Sequence, residues 1–518
     1  MDRPRLPLGE YWQLLLKNDL LADKAPLGLD LTREVPLVSC DSKSVLPGTL
    51  FICKGAAFKP EYLKDAARKG AVAYVSETAY FEVPEIPYIR VTDIRRAMAL
   101  LADAAWGHPS GRIPVTGITG TKGKTTTAYY LKSILDEWRY ATGRPDTAIL
   151  STIVTDDGVE RRPAKLTTPE PLDLQRHLWN AVSARTGYVT MEVSSQALKY
   201  HRSLGVEFAA AVFLNIGEDH ISPREHPDFE DYFTSKLMIF KQAKIAVVNL
   251  DCDHVERVLE AAKVCERVVT FSCVNPAADV QAYGIAREGT KTCFWVRTPR
   301  GVMHLSIPMA GLFNVSNALA AVAVAEAYRV PELAIHDGLE KAAVPGRMET
   351  YHSVGGDLTV IVDYAHNGMA LEALLSSVRR EYPGRELTVL FGCTGGKGLD
   401  RREGMGTAAG KWADRIILTE DDPGPEEVVD ICADIGRYIT AQDRPFTVIP
   451  NREQAISTAV MECSTPAVVV LAGKGAEQEQ KRKSGGEPCA PDGMLAKKVL
   501  ANLDAQRSVA MHFPWTAL

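Results

Sequence analysis

The sequence predicts an α/β chain of three domains, with parallel sheets covered by helices on both faces. Three observations predict it. The 518 residues exceed what one core organises, which gives roughly three domains. Short apolar runs alternate with helical patterns, the signature of strand–helix–strand units. Polar residues stand directly after those runs, at the strand ends where ligands gather in such sheets.

Taken along the chain, IPVTGITG reads as a strand ending in a loop, and TTAYYLKSILDEW as the helix after it. YVTMEVSS and AAAVFLNI read as buried strands that each end in polar residues. Nearer the C-terminus, DLTVIVDYAH, ELTVLFGCTG, DRIILTEDD and AVVVLAGKG are strands separated by helices such as EEVVDICADIGRYI. Glu479 to Asp492, with three consecutive basic residues, paired glycines and two prolines, is expected to be a loop. No internal repeat or low-complexity tract interrupts the pattern.

Composition narrows the function classes. Hydrophobic residues at 46% and charged residues at 24% describe a soluble globular protein. A net charge of -6 gives no reason to expect nucleic acid or a membrane surface as partner. No apolar run approaches the ~18 residues of a membrane helix, and the opening MDRPRLPLGEYW lacks the apolar centre of a signal peptide. The ten cysteines are scattered without C-x-x-C spacing, so reduced thiols in a cytoplasmic protein are expected.

The strongest local motif is GITGTKGKTTT, Gly117 to Thr127, between a strand and a helix. Gly120 and Gly123 let the backbone amides turn toward a phosphate, and the helix N-terminus adds its dipole. Thr121, Lys122 and Thr126 complete the loop. Lys124 can reach terminal phosphates, and the Thr125 hydroxyl can join a magnesium shell. The commonest phosphate loop would have glycine at Ile118, so this is a variant.

GTKGKTT resembles the GTNGKTT signature of the Mur ligase family, with Lys122 in place of asparagine. Further segments follow in family order from about residue 40 to about residue 480: MEVSSQAL, VFLNIGEDH, YFTSKLMIF, FNVSNALAA, PGRMET, IVDYAHN and AGKGAEQ. The resemblance implies an ATP- and magnesium-dependent ligase joining a carboxylate to an amino acid. It implies a UDP-substrate domain over 1–111, a central P-loop ATPase domain over 112–345 and a C-terminal Rossmann-like domain over 346–518 that closes on the site. A monomer is expected.

Residue roles implied by the resemblance agree with the side-chain chemistry. Glu192 and His220 end apolar strands, where a carboxylate and an imidazole can ligate a metal. Lys236, which by itself reads as a solvated helix lysine, corresponds to a lysine carried as a carbamate, an anionic oxygen ligand. Asn314 and Asn317 fall near the nucleotide base, Arg347 reaches the γ-phosphate from the domain boundary, and Asp363 contacts ribose with His366 beside it. Asn367-Gly368-Met369 departs from the family's T-P-D.

The N-terminal stretch Cys40 to Phe58 resembles the branch that adds the third amino acid to UDP-N-acetylmuramoyl-L-alanyl-D-glutamate. Ser42, Lys43 and the Ala56-Ala57-Phe58 turn would then hold the UDP, and Thr167, Thr168, Ser194 and Arg202 the UDP-sugar-dipeptide. Lys43 and Tyr200 depart from that branch's arginine and polar residue. The free diamino acid would meet Arg402, Asp421, Asp422, Gly424, Gly473 and Glu477. Gly424 stands where diaminopimelate enzymes place an arginine, and Ala476 where they often have histidine. A buried carboxylate without a cation is costly, so L-lysine is expected over meso-diaminopimelate, with ornithine electrostatically equivalent. The acidic run Asp421, Asp422, Glu426, Glu427 favours a terminal ammonium, whereas Lys397, Arg401 or Arg402 could substitute for the missing cation. The rival readings are a folylpolyglutamate-synthetase-like or other amide ligase on this scaffold, and a nucleotide-binding module without chemistry.

Overall fold

A computed structural model describes residues 3–23, 28–55, 58–218, 221–222, 225–289, 291–309, 311–396 and 398–512, excluding the side chains of 509–512. The chain divides into two compact units. The first comprises Met1–Ala286, Cys293–Ile307 and Phe313–Ala342; the second comprises Arg287–Thr292, Pro308–Leu312 and Ala343–Leu518. The α/β class holds in both.

The first unit opens with a small parallel sheet of Val38–Ser39, Leu50–Ile52, Ala73–Ser76 and Tyr88–Arg90. Its apolar strands pack against the helices Leu8–Lys17 and Ile94–Ala105 through Leu8, Leu15, Leu50, Ile52, Val75, Ala97 and Leu101. Next comes a sheet of eleven strands among the described residues. At its centre Val115–Thr119 lies between Val189–Glu192 and Phe208–Phe213, all parallel. Both faces of Val115–Thr119 are buried, which is why it reads as an unbroken apolar and β-branched run. The loop after it feeds the helix Lys124–Tyr140. Carboxyl ends of neighbouring strands therefore converge: Thr119, Glu192 and Phe213 finish at one edge of the sheet.

The second unit carries six strands in the order Glu349–His352, Leu358–Asp363, Ala467–Ala472, Glu386–Phe391, Arg415–Leu418, Thr447–Val448. All but the first pair in parallel, so Asp363, Gly392, Thr419 and Gly473 lie at a common edge. Val360, Val469, Leu471 and Ile417 form its core against Ile456 and Val499.

One expectation fails. Glu479 to Asp492 is not a loop throughout: Glu479–Arg482 pairs antiparallel with Gly485–Pro488. A two-residue turn at Lys483-Ser484 leads into Gly485, whose φ of +121° suits glycine. The strands are polar and mostly exposed, so no hydrophobic alternation announces them. Among the described residues, no helix is long and apolar enough to cross a membrane.

Candidate active site

The phosphate loop is shaped by what its glycines permit. Gly123 has φ of +87°, and a Cβ there would lie 2.2 Å from the Asn317 Oδ1. Only glycine admits both that backbone and that neighbour. The contact puts Asn317, from the buried helix Leu312–Ala327, directly against the loop, with Asn314 Oδ1 3.5 Å from its amide nitrogen. Lys124 folds its Nζ back onto the carbonyls of Gly120 (2.8 Å) and Thr121 (3.2 Å). Lys122 is held through its backbone, its amide donating to Asn215 Oδ1. Thr126 is buried behind it at the helix start.

Lys236 overturns its reading as a solvated lysine. On the helix Phe229–Leu237 it is 1% exposed, its Nζ donating to the Gly120 carbonyl at 2.9 Å and lying 4.7 Å from the Tyr232 ring centroid. The Tyr232 hydroxyl in turn lies 3.1 Å from Thr121 Oγ1. A buried amine beside the phosphate loop is an unusual use of lysine.

Glu192 ends its strand 1% exposed, yet among the described residues it forms no ion pair. Instead it accepts from Thr125 Oγ1 (2.9 Å), the Thr152 amide (2.8 Å) and Thr152 Oγ1 (3.2 Å). A buried carboxylate normally has a cation. An anionic oxygen touching the phosphate-loop hydroxyl is a hard donor set that fits magnesium. His220, the expected fourth ligand, lies outside the described residues, as do Ala56 and Ala57.

The expected sugar-dipeptide residues gather next to this carboxylate. Thr168 Oγ1 donates to the Glu192 carbonyl (2.9 Å) and accepts from the Ser194 amide (3.1 Å). Thr167 reaches Thr152 Oγ1 at 3.2 Å. Ser194 caps the short helix Ser195–Lys199 through Ala197. Arg202 Nε pairs with Glu170 at 2.8 Å, and Lys54 from the N-terminal sheet pairs with the same carboxylate. Burial pushes Glu170 up, but Lys54 and Arg202 outweigh it and hold the carboxyl below its usual range. Ser42, half-buried, lies farther along the N-terminal sheet with its carbonyl accepting from Lys69. Lys43 is exposed, and the Tyr200 ring is covered by the Arg95 guanidinium at 4.2 Å.

In the second unit part of the acidic run is compensated: Asp422 and Glu426 carry ion pairs, whereas Asp421 and the exposed Glu427 carry none among the described residues. Asp422 pairs with Lys474 (2.9 Å) and Lys481 (3.4 Å), Glu420 with Arg482 (2.7 Å), and Glu426 with Arg402 (2.7 Å). Sequence acidity alone therefore overstates the pull on an ammonium. Asp421 differs: it is 5% exposed and makes no ion pair among the described residues. Burial pushes its carboxyl up to about 7, although Arg452 and Lys474 pull the other way. Gly473 backs onto it, a Cβ there falling 2.8 Å from Asp421 Oδ2. Glu477 pairs with Lys474 (2.9 Å) and accepts from the Tyr364 hydroxyl (2.9 Å).

Arg402 is 5% exposed with one nitrogen on Glu426 and another on Asp434 (2.9 Å). Two carboxylates already offset its charge, although its buried Nε has no hydrogen-bond partner among the described residues. Gly424, φ +57°, donates its amide to the Lys481 carbonyl and contributes no charge. Lys397 lies outside the described residues. Asp363 is positioned by the amides of Met348 and Ala365, while His366 Nδ1 bonds the Tyr364 carbonyl. Arg347 stacks over the Tyr364 ring at 4.6 Å.

Four contributors escaped the sequence reading: Thr152, Tyr232, Tyr364 and Lys474. The last stands inside AGKGAEQ, between two expected contacts, and a lysine amid glycines was a signal to follow. Thr152 carries none, since a threonine after a strand is ordinary.

Comparison with known proteins follows the same lines. Residues 118–325 match the Mur ligase middle domain and 346–475 the Mur ligase glutamate ligase domain. The UDP-N-acetylmuramoyl-L-alanyl-D-glutamate–L-lysine ligase of Enterococcus faecalis is 39% identical over 93% of this chain and 96% of its own. A UDP-N-acetylmuramyl-tripeptide synthetase of Bifidobacterium longum is 37% identical over 85% of this chain and 87% of its own. Among solved structures, a UDP-N-acetylmuramoyl-L-alanyl-D-glutamate–2,6-diaminopimelate ligase aligns with a TM-score of 0.66 at 25% identity, covering 97% of this chain and 100% of that one. The folylpolyglutamate synthase of Mycobacterium tuberculosis shares the fold at 18% identity and a TM-score of 0.59, over 73% of this chain and 92% of its own.

Proposed function

This chain belongs to the Mur ligase family, and from that premise we propose that it joins L-lysine to UDP-N-acetylmuramoyl-L-alanyl-D-glutamate at the expense of ATP. The observation that carries the ligase reading is the buried Glu192 carboxylate, bonded to the phosphate-loop Thr125 and partnered by no cation among the described residues. In the proposed reaction the D-glutamyl carboxylate attacks the γ-phosphorus of ATP, and ADP leaves. The lysine amine then attacks the acyl carbon of that acyl phosphate, and phosphate leaves. No protein nucleophile is required.

The chain's own groups position and neutralise. Lys124 holds its ammonium over the loop carbonyls, ready to move onto phosphoryl oxygens. Thr168 Oγ1 donates to the Glu192 carbonyl and accepts from the Ser194 amide, so the proposed dipeptide contacts and the cation ligand share one strand end. Thr125, Glu192, His220 and a carbamylated Lys236 would hold magnesium, which when bound offsets charge on the transferring phosphoryl group. As an ammonium, Lys236 would repel such a cation; as a carbamate, it supplies an oxygen ligand.

The preference for lysine rests on Gly424, which brings no cation, and on Arg402, whose charge is offset by Glu426 and Asp434. The name of the Enterococcus faecalis relative supports the same choice. Incubation with ATP, UDP-N-acetylmuramoyl-dipeptide and a panel of amino acids, followed by mass spectrometry of the products, tests the reading. A lysine adduct with stoichiometric ADP is expected. An adduct only on a folate acceptor, or none on any acceptor, refutes it.

A further inference from the structure

The first unit holds a cavity at the edge of the central sheet opposite the phosphate loop. Ile113 leads into the strand Val115–Thr119 and Gly187 into Val189–Glu192, so the amino ends of two parallel strands open into a cavity of about 520 Å³. The C-terminal ends of two helices, Lys124–Tyr140 and Pro171–Ala184, form its other walls. That volume is typical of a small-molecule pocket.

Its lining is cationic. Arg112, Arg139, Arg144 and Arg185 all contribute, and no carboxylate does. Among the described residues, none of these four arginines forms an ion pair. Asp136 and Asp146 act electrostatically on Arg139 from outside the lining. Asp136 is committed to Lys132 and the Thr147 amide. Arg139 is buried, bonding the carbonyls of Pro145 (2.6 Å) and Arg185 (2.7 Å). Those bonds are what a basic residue does at helix C-termini. They explain Arg139 and leave the other three. Arg112 lies over the Trp179 ring at 5.6 Å, while Arg144 and Arg185 are exposed at the cavity mouth.

Arg185 has a backbone feature that a substitution can exploit. It occupies the left-handed region (φ +59°, ψ +35°) at the end of its helix, a conformation that glycine adopts with least strain. A bulky cation is therefore kept where the backbone favours glycine.

We propose that this cavity binds a phosphate-bearing small molecule. The Arg112, Arg144 and Arg185 guanidiniums would hold the phosphoryl oxygens, and Ile113 and Val182 would line the uncharged part. Guanidinium forks match phosphate geometry, and three exposed arginines lining one cavity with no carboxylate in its lining leave a charge that an anion neutralises.

Inorganic pyrophosphate is the probe, titrated calorimetrically at low salt into Lys124→Ala, which weakens the phosphate loop. That protein should keep a pyrophosphate site. Adding Arg144→Ala and Arg185→Gly should weaken it at least tenfold. Arg185→Gly removes backbone strain, so the melting temperature should hold or rise, separating lost binding from lost folding. The double variant Arg144→Ala/Arg185→Gly in the otherwise native chain should ligate at the native rate at low phosphate. Orthophosphate and uridine monophosphate, compared next, distinguish a purely inorganic anion from an organic phosphate. Affinity unchanged within twofold by the two arginine substitutions, or no pyrophosphate binding in Lys124→Ala, overturns the proposal.

Discussion

The strand-end sites of the two units solve opposite problems. At the phosphate loop, function is written in the backbone: glycines at positions 120 and 123, a helix start, and a lysine folded over loop carbonyls. At the second unit's edge, function is written in charge pairing between distant segments, such as Asp422 with Lys474 and Arg402 with Asp434. The first leaves a buried carboxylate, Glu192, without a cation among the described residues. The second pairs Glu420, Asp422, Glu426 and Glu477 with cations and leaves the buried Asp421 without an ion pair among the described residues. On the proposed reading, the first must leave an anion available for a metal, whereas the second must offset the charges around the one that discriminates.

The largest expected effect breaks the backbone-built site. Lys124→Ala should lower kcat by ~10²–10³ or more while circular dichroism and melting stay near native, since removing one preorganised stabiliser of developing charge costs about that much. Native-rate turnover by a folded mutant would contradict the assignment.

Lys236→Ala should be nearly as severe, and it sharpens the comparison because the account needs an anion at that position. A short carboxylic acid added to the mutant should restore part of the activity, which a merely structural lysine would not allow. Absence of rescue, with a bare ammonium in a high-resolution crystal structure grown under carbon dioxide, counts against carbamylation.

Asp421→Asn probes the charge-built site. Removing one partner of a buried charged hydrogen bond costs ~1–3 kcal/mol, so kcat/KM for lysine should fall about tenfold or more, with ADP affinity unchanged. An equal loss of ADP affinity would show that the two sites are not separable.

The pH dependence is a smaller effect with a definite sign. Asp421 is pushed up to about 7, above its unfolded value of 3.8. The folded state thus holds this proton more tightly, so Asp421 costs stability as pH rises from about 4 to about 7, and no more above that. If Asp421 meets the lysine ammonium as proposed, lysine binding should strengthen over the upper part of the same window. In Asp421→Asn both slopes should flatten; an unaltered KM–pH profile would remove Asp421 from lysine binding.

What was legible in the sequence follows the same division. The phosphate loop, its strand and its helix could be read because Gly120, Gly123 and Lys124 lie within five consecutive residues. The buried strands could be read because Val115–Thr119, Leu358–Asp363 and Ala467–Ala472 are unbroken apolar or β-branched runs. Lys236 could not: its burial depends on Gly120, 116 residues away. Nor could the compensation of Asp422 by Lys474, 52 residues distant, or the exposed Glu479–Arg482 hairpin, whose strands bury little.

The central claim is that the second unit selects a side chain ending in an ammonium alone. Steady-state kcat/KM for L-lysine, ornithine and meso-diaminopimelate, measured with UDP-N-acetylmuramoyl-dipeptide and ATP saturating, tests it directly. The account predicts lysine above meso-diaminopimelate by about tenfold or more, since an unpaired buried carboxylate costs at least ~1–3 kcal/mol. A higher value for meso-diaminopimelate would contradict it, and would require a cation near Gly424 other than Arg402.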